Sequence, residues 1–355
     1  MIPFIALNRD TAELDEISKE IDKFIKMGKY ILGEKLSEFE ESFASFIGKK
    51  YAVGVGNGTD ALYLIFRVLN LKTIGLCAAN PIPCAQAIKM AGANMVLFDS
   101  ENEGGLLDIE QIKKYSGNMD SILAVHLYGQ AERVEELKNI CEKKNMILIE
   151  DCSQSVGTYI GNLHTGSFSS LSAYSFYPTK NLGGFGDGGL IATDNKELFE
   201  KLRKMRNYGQ SQNYFAQEEG INSRLDDIQA VILLEKMKKI NEKNRRRKLI
   251  LKEYEKKINN PKIILPPKRY FETSNGHLMP IFTDKREKLK EFMQKEGIIT
   301  AIHYPYPLHK HNYFRENISL PVSESLSLRE LTIPSFSELE NDEVKHIIEV
   351  LNRYE

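Results

Sequence analysis

A lysine set between an apolar run and a glycine-rich loop is the first group in this sequence able to act as a nucleophile. The segment Ser172-Ala173-Tyr174-Ser175-Phe176-Tyr177-Pro178-Thr179-Lys180-Asn181-Leu182 leads into a loop with five glycines between Gly183 and Gly189. Partial withdrawal from water there lowers an amine's pKa and frees its lone pair. A second group, Asp151, directly follows the apolar run Met146-Ile147-Leu148-Ile149-Glu150. A carboxylate at the carboxyl end of a buried strand stands where open α/β sheets bind ligands and needs a cation or good donors there; the same residue type also suits a helix N-cap. The third feature, Gly54-Val55-Gly56-Asn57-Gly58-Thr59-Asp60, opens the helix-like stretch Ala61 to Phe66. Glycines admit a ligand to the backbone, Thr59 or Asp60 is the expected cap, and a helix N-terminus favours an anion such as phosphate. In chain order these are an anion cradle, a buried carboxylate and a nucleophilic amine. Pyridoxal 5′-phosphate needs all three: phosphate donors, a carboxylate that keeps the pyridine nitrogen protonated, and a lysine for its aldehyde.

The elements that must position these groups follow from the apolar pattern. Runs at Tyr51 to Val55, Ile74 to Ala78, Met95 to Phe98, Ser121 to Val125, Met146 to Ile149, Leu171 to Phe176 and Gly189 to Ala192 alternate with helix-like stretches. Their lack of polar alternation suits strands buried on both faces, and the stretches between suit crossovers, which predicts an α/β protein with a mostly parallel seven-stranded sheet. Asp226 to Ile258 carries one long helical pattern, with the basic run Lys243-Asn244-Arg245-Arg246-Arg247-Lys248 read as a solvated face. Beyond Asn259-Asn260-Pro261 the composition shifts, so the division expected is 1–240 for a large cofactor-binding domain and 241–355 for a small C-terminal α+β domain.

Composition removes other classes. Lys plus Arg total 48 against Asp plus Glu at 49, so no global field points to nucleic acid or anionic lipid. The N-terminal residues lack the pattern of a signal peptide and no apolar run reaches spanning length, so a cytoplasmic protein with no membrane partner is expected. Cys77, Cys84, Cys141 and Cys152 have no zinc or disulfide spacing and read as buried hydrophobes, while His309, His311 and His346 are expected at the surface, with no metal. A nicotinamide reading fails on its fingerprint. Position 59 is Thr, no acidic residue lies between Asp60 and Asp99, and the one GxGxxG match, Gly184 to Gly189, precedes a strand.

At these residues the chain resembles the DegT/DnrJ/EryC1/StrS family of pyridoxal-phosphate-dependent sugar aminotransferases, along nearly its whole length. The resemblance is carried by Ile149-Glu150-Asp151-Cys152-Ser153-Gln154, Ser175 to Leu182, Gly220-Ile221-Asn222-Ser223-Arg224-Leu225-Asp226-Asp227-Ile228-Gln229-Ala230 and His303-Tyr304-Pro305. It implies the type I, aspartate aminotransferase-like fold, Lys180 as Schiff-base lysine and Asp151 as pyridinium partner. Gln154 would contact the ring or its phenolic oxygen, and Gly58, Thr59 and Ser175 would hold the phosphate. Asn222 would join them from a neighbouring subunit, which implies a homodimer with shared active sites.

The chain departs from the family in two places. An aromatic residue over the ring is replaced by Asn80-Pro81-Ile82-Pro83, so Ile82 or a neighbour is expected to give an apolar face; a Gly-Asp pair is replaced by Phe168-Ser169. Tyr177, His126-Leu127-Tyr128-Gly129-Gln130 and the Asn222 segment look most like the branch that aminates C-3 of dTDP-3-keto-6-deoxyhexoses with L-glutamate as donor. Tyr177, His303 and Tyr304 are the candidate contacts to the sugar nucleotide. The alternatives are amination at C-4, or a non-catalytic cofactor-binding regulator; sugar dehydration is disfavoured because that branch has His in place of the lysine.

Overall fold

Apolar runs of about five residues, flanked by turns, suit strands covered on both faces. The computed structural model, which describes residues 1–101, 104–212 and 214–355, places such strands at each run. They are β1 (Tyr51–Val55), β2 (Thr73–Cys77), β3 (Asn94–Phe98), β4 (Ser121–Val125), β5 (Ile147–Asp151) and, past a small hairpin of β6 (Tyr159–Ile160) and β7 (Leu163–His164), β8 (Leu171–Ser175) and β9 (Gly189–Thr193). Seven of them form one sheet in the order β1-β9-β8-β5-β4-β2-β3. Only β9 runs against the rest, so the sheet is mostly parallel, as the sequence predicts.

Helices cover both faces. Before the sheet come α1 (Thr11–Ile25) and α2 (Glu34–Ile47); α3 (Gly58–Val68), α4 (Ile82–Met90), α5 (Ile109–Lys114) and α6 (Val134–Lys143) are crossovers, and α7 (Lys196–Met205) follows β9. One face buries Leu62, Ile65 and Ile88 against Val53, Val55, Leu76 and Ile191. On the other, Phe43 of α2 meets Tyr174 and Phe176 edge-on at 4.9 and 5.3 Å. Each such pair stabilises by about 0.5–1.5 kcal/mol beyond its burial.

The single long helix expected from Asp226 to Ile258 is instead two, α8 (Asp227–Met237) and α9 (Ile240–Lys257). Leu233 and Ile240 belong to the core against α2, whereas Ile250, Leu251 and Tyr254 belong to a second core, so the chain turns at Lys238 and Lys239 to serve both. Asp227 does not cap its own helix; its carboxylate accepts from Gly33 N at 2.8 Å and Leu36 N at 3.1 Å and so caps α2. Past a short hairpin of β10 (Gln210–Gln212) and β11 (Phe215–Ala216), the antiparallel pair β12 (Met279–Phe282) and β13 (Glu330–Ile333) joins α9 and the helix Asn341–Arg353 around the second core. Among the described residues no helix is long and apolar enough to cross a membrane.

Candidate active site

The carboxyl ends of the parallel strands open onto one cavity of about 500 Å³. Where β1 gives way to α3, Asn57 extends its backbone and its side chain accepts from Asp60 N at 2.8 Å. The cap is therefore Asn57, not Thr59 or Asp60, because the helix already begins at Gly58 and the cap must precede it. Gly58 and Thr59 thus sit in the first turn, where backbone N–H groups have no intrahelical acceptor, and both line the cavity. A Cβ on Gly58 would lie 2.9 Å from Ser175 Cβ and 3.2 Å from Ser153 Oγ, so only glycine lets the turn close on the end of β8. The turn is braced from behind: Ser223 Oγ donates to Asp60 Oδ2 at 2.6 Å and accepts from Gly56 N at 2.9 Å.

Lys180, Asp151, Gln154, Ser175 and Tyr177 line the same cavity. Lys180 forms no ion pair among the described residues, and burial pushes its amine down to about 8 against the opposing pull of Asp151 and Cys84. Asp151 ends β5, next to β8 in the sheet, and accepts from Ser153 N at 2.9 Å and the Cys84 thiol at 3.3 Å. Each carboxylate oxygen keeps a further lone pair for a ring N–H. Gln154 is fixed at both ends, accepting from Tyr128 N at 2.7 Å and donating to the Tyr304 hydroxyl at 3.0 Å.

His303 and Tyr304 line the opposite wall of the cavity. His303 stacks on Phe4 at 5.6 Å, its Nδ1 lies 2.9 Å from Thr332 Oγ1, and Glu330 accepts its backbone N–H at 2.6 Å. Burial pushes this imidazole down to about 4, so it stays neutral at physiological pH. Burial also raises the Tyr304 phenol above its ordinary range, keeping it protonated. Asn222 is exposed and does not line the cavity of its own chain; it pairs with Asn207 beside the Ser223 brace.

Several residues differ from expectation. Ile82 is 45% exposed and turned away, while Pro81, Pro83 and Cys84 line the cavity, so the apolar face comes from the prolines and the thiol. The four cysteines are buried and free, and Cys84 additionally contacts Asp151. The basic run of α9 is not a solvated face throughout: Arg247 is buried and lines the cavity, and Asn244 is buried and accepts from Asn181 at 2.7 Å. One helical turn separates these two, which is the signal that would have placed them on an inward stripe. His309 is buried, not at the surface, with its Nε2 facing Glu324 at 3.0 Å, and His346 is half-buried against Glu296 O at 3.0 Å. His126, Glu150 and Cys152 come together in the core. His126 Nδ1 accepts from Glu132 N at 3.0 Å and its Nε2 faces Glu150 at 3.1 Å. Glu150 also accepts from Gly166, Phe168 and Ser169 amides, so these lone pairs go to bracing the loops, including the Phe168-Ser169 departure.

An anion cradle at a helix N-terminus, a carboxylate with free lone pairs and a desolvated amine fit pyridoxal 5′-phosphate from its phosphate to its ring nitrogen and aldehyde. These features define a pyridoxal-phosphate enzyme on a mostly parallel α/β sheet. The chain belongs to the DegT/DnrJ/EryC1/StrS aminotransferase family, which it matches over residues 12–352. It is 36% identical over 361 residues to a dTDP-3-amino-3,6-dideoxy-alpha-D-galactopyranose transaminase of Aneurinibacillus thermoaerophilus, covering 100% of this chain and 99% of the relative. The DesV structure from S. venezuelae, solved in complex with a ketimine intermediate, superposes with a TM-score of 0.94 at 32% identity, covering 99% of this chain and 97% of that one. NtdA of Bacillus subtilis, solved with bound cofactor PMP, gives 0.90 at 25% identity, covering 99% and 84%. The family uses pyridoxal phosphate, and its description together with the names of this chain's relatives makes the chain a sugar-nucleotide aminotransferase.

Proposed function

We propose that this protein transfers the amino group of L-glutamate to C-3 of a dTDP-3-keto-6-deoxyhexose, giving a dTDP-3-amino-3,6-dideoxyhexose. The observation that carries this is a chain similar from end to end to a 3-amino-sugar transaminase, in which Asp151 at the end of β5 and Lys180 in the loop after the neighbouring β8 face one cavity. When bound, pyridoxal phosphate supplies the electron sink that labilises the donor's α-hydrogen. In our reading Gly58, Thr59 and Ser175 hold the phosphate and Asp151 keeps the ring nitrogen protonated. Gln154 contacts the phenolic oxygen. Lys180 Nζ removes the α-proton of glutamate and later delivers a proton to sugar C-3, a task suited to an amine poised near neutrality. Tyr177 from the Lys180 side and His303 and Tyr304 from the opposite wall grip the sugar nucleotide, and Asn222 completes the phosphate site of a neighbouring subunit in a cytoplasmic homodimer. Residues 1–240 form the cofactor-binding part and 241–355 the small C-terminal part.

The test follows the visible absorption of the protein loaded with pyridoxal phosphate. L-glutamate should bleach the band and dTDP-3-keto-6-deoxyhexose should restore it. Restoration by a 4-keto sugar alone would refute the regiochemistry. Indifference of the band to every amino donor would refute the transfer and favour a regulator.

A further inference from the structure

Glu330 is only 1% exposed and forms no ion pair among the described residues, and the function above gives it no task. Arg286, the cation whose field reaches it, is already paired with Glu287 at 2.9 Å. A carboxylate buried without a cation is costly, so this group keeps its proton, and burial pushes it up to about 8. Its place follows from the register of β13. Ala301 and Thr332 exchange backbone hydrogen bonds at 2.8 and 3.0 Å as an antiparallel pair, which sets His303 opposite Glu330 two residues on. There the His303 N–H donates to Glu330 Oε2 at 2.6 Å, and Tyr128 donates to His303 O at 2.5 Å, so this backbone is held on both sides.

Alternate residues of a strand share a face, so Glu330 and Thr332 point the same way. Glu330 Oε1 is hydrogen-bonded to Thr332 Oγ1, which lies 2.9 Å from His303 Nδ1. The three side chains thus form one line of hydrogen bonds from a buried carboxyl to an imidazole of the cavity wall. The other ring nitrogen, Nε2, has no partner among the described residues. A threonine hydroxyl carries one proton, so the direction of the line is set at its buried end. A neutral Glu330 donates from Oε1 to Thr332, whose hydroxyl then donates to Nδ1, and the imidazole proton must sit on Nε2. An ionised Glu330 takes the Thr332 proton instead, Nδ1 becomes the donor, and Nε2 is left as an acceptor.

We propose that Glu330 is a positioning residue that acts through Thr332 to hold His303 as its Nε2–H tautomer, so that this wall offers the sugar nucleotide a hydrogen-bond donor. A donor suits an oxygen that carries no proton, as in the ketone and the diphosphate. The contact with the sugar rests on the aminotransferase reading above; the tautomer does not. Around the relay stand Tyr128 and Tyr304, both kept protonated by burial, and His277, kept neutral by it. Arg286 faces Glu330, and Lys180, whose amine titrates near 8, faces His303. E330Q shares all of these groups with wild type and so isolates the titration of Glu330.

The experiment uses holoenzyme carrying ¹⁵N in its histidine rings, with the His303 signals identified by their loss in H303Q. At pH 7 wild type and E330Q should both show Nε2 protonated and Nδ1 unprotonated, because the glutamine amide donates to Thr332 as the neutral acid does. T332V removes the link and should lose that preference. Above pH 8 the proton should pass to Nδ1 in wild type and stay on Nε2 in E330Q. The second readout is the half-saturating concentration of dTDP-3-keto-6-deoxyhexose added to the aminated enzyme. From pH 7 to 9 it should rise at least about fivefold more in wild type than in E330Q, the cost of a polar group left unmatched. In T332V it should already be at least about fivefold higher at pH 7. Calorimetry with dTDP alone tells the two oxygens apart: weaker binding to T332V assigns the diphosphate, and unchanged binding assigns the ketone. Nδ1 protonated in wild type at pH 7, or a tautomer indifferent to both T332V and pH, would overturn the relay. The assigned tautomer with ketone saturation unchanged in T332V would overturn the contact with the sugar. The assigned tautomer in a holoenzyme whose visible band no amino donor alters would refute the aminotransferase reading and leave the relay standing.

Discussion

Asp151 has two consequences of opposite sign, and D151N separates them. Burial lowers Lys180 from 10.5 to about 8, and Asp151 works against that shift by favouring the ammonium form. At pH 7 an amine with a pKa near 8 is about 300-fold richer in its neutral form than an ordinary lysine. Removing the Asp151 charge leaves desolvation less opposed, so the midpoint should move down by about one further unit, the lower end of what a nearby opposite charge does. Asparagine keeps the size, and its oxygen still accepts from Ser153 N or Cys84. Addition of free pyridoxal phosphate to apoprotein, followed by stopped-flow absorbance from pH 6 to 10, reads the neutral fraction directly. The variant should react at least as fast as wild type at pH 7, with its midpoint below 8. Transamination should nevertheless fall by about two orders of magnitude or more, because the ring nitrogen has lost its anionic partner. A midpoint that rises, or one that does not move, would refute the electrostatic coupling of Asp151 to Lys180.

Other predictions follow from the same geometry. G58A forces a contact of 2.9 Å on Ser175 Cβ and should cost about 1–3 kcal/mol in denaturant unfolding, with a weaker cofactor; G58A combined with S175G should recover most of the stability, and failure to do so would place the strain elsewhere. Glu132 and Glu330 are buried and pushed up to about 8, so between pH 6.5 and 8 the folded chain retains protons that the unfolded chain has released, and stability should fall as pH rises. The thermal midpoint should drop by at least about 2 °C over that window, and the drop should shrink in E132Q and in E330Q; a midpoint that rises would contradict the assignment. Y304F removes the hydroxyl that accepts from Gln154 at 3.0 Å and should weaken cofactor binding by about tenfold while circular dichroism stays unchanged.

The sheet was legible because its strands are short, apolar and regularly spaced, and each observed strand lies within about two residues of its run. The chemistry at strand ends was legible too, since Asp151 closes β5 and Gly58 and Lys180 lie in the segments that leave β1 and β8. What escaped were residues whose roles come from tertiary packing. Arg247 sits in a run of charge that local composition assigns to solvent, and only the crossing of α9 past the cavity buries it. Cys84 looked like one more small hydrophobe until α4 carried it against Asp151. His309 similarly depends on Glu324, 15 residues away, to make burial tolerable. The break at Lys238 and Lys239 contains neither Pro nor Gly, so no local residue announces it; two cores pulling in different directions impose it.

The most direct test of the central claim uses ¹⁵N-labelled L-glutamate, dTDP-3-keto-6-deoxyhexose and the holoenzyme, with the product read by NMR and K180A as control. The label should appear on C-3 of the sugar, with one 2-oxoglutarate formed per transfer, and K180A should give neither while retaining the fold. Label on C-4, no label in the sugar, or transfer undiminished in K180A would contradict the account.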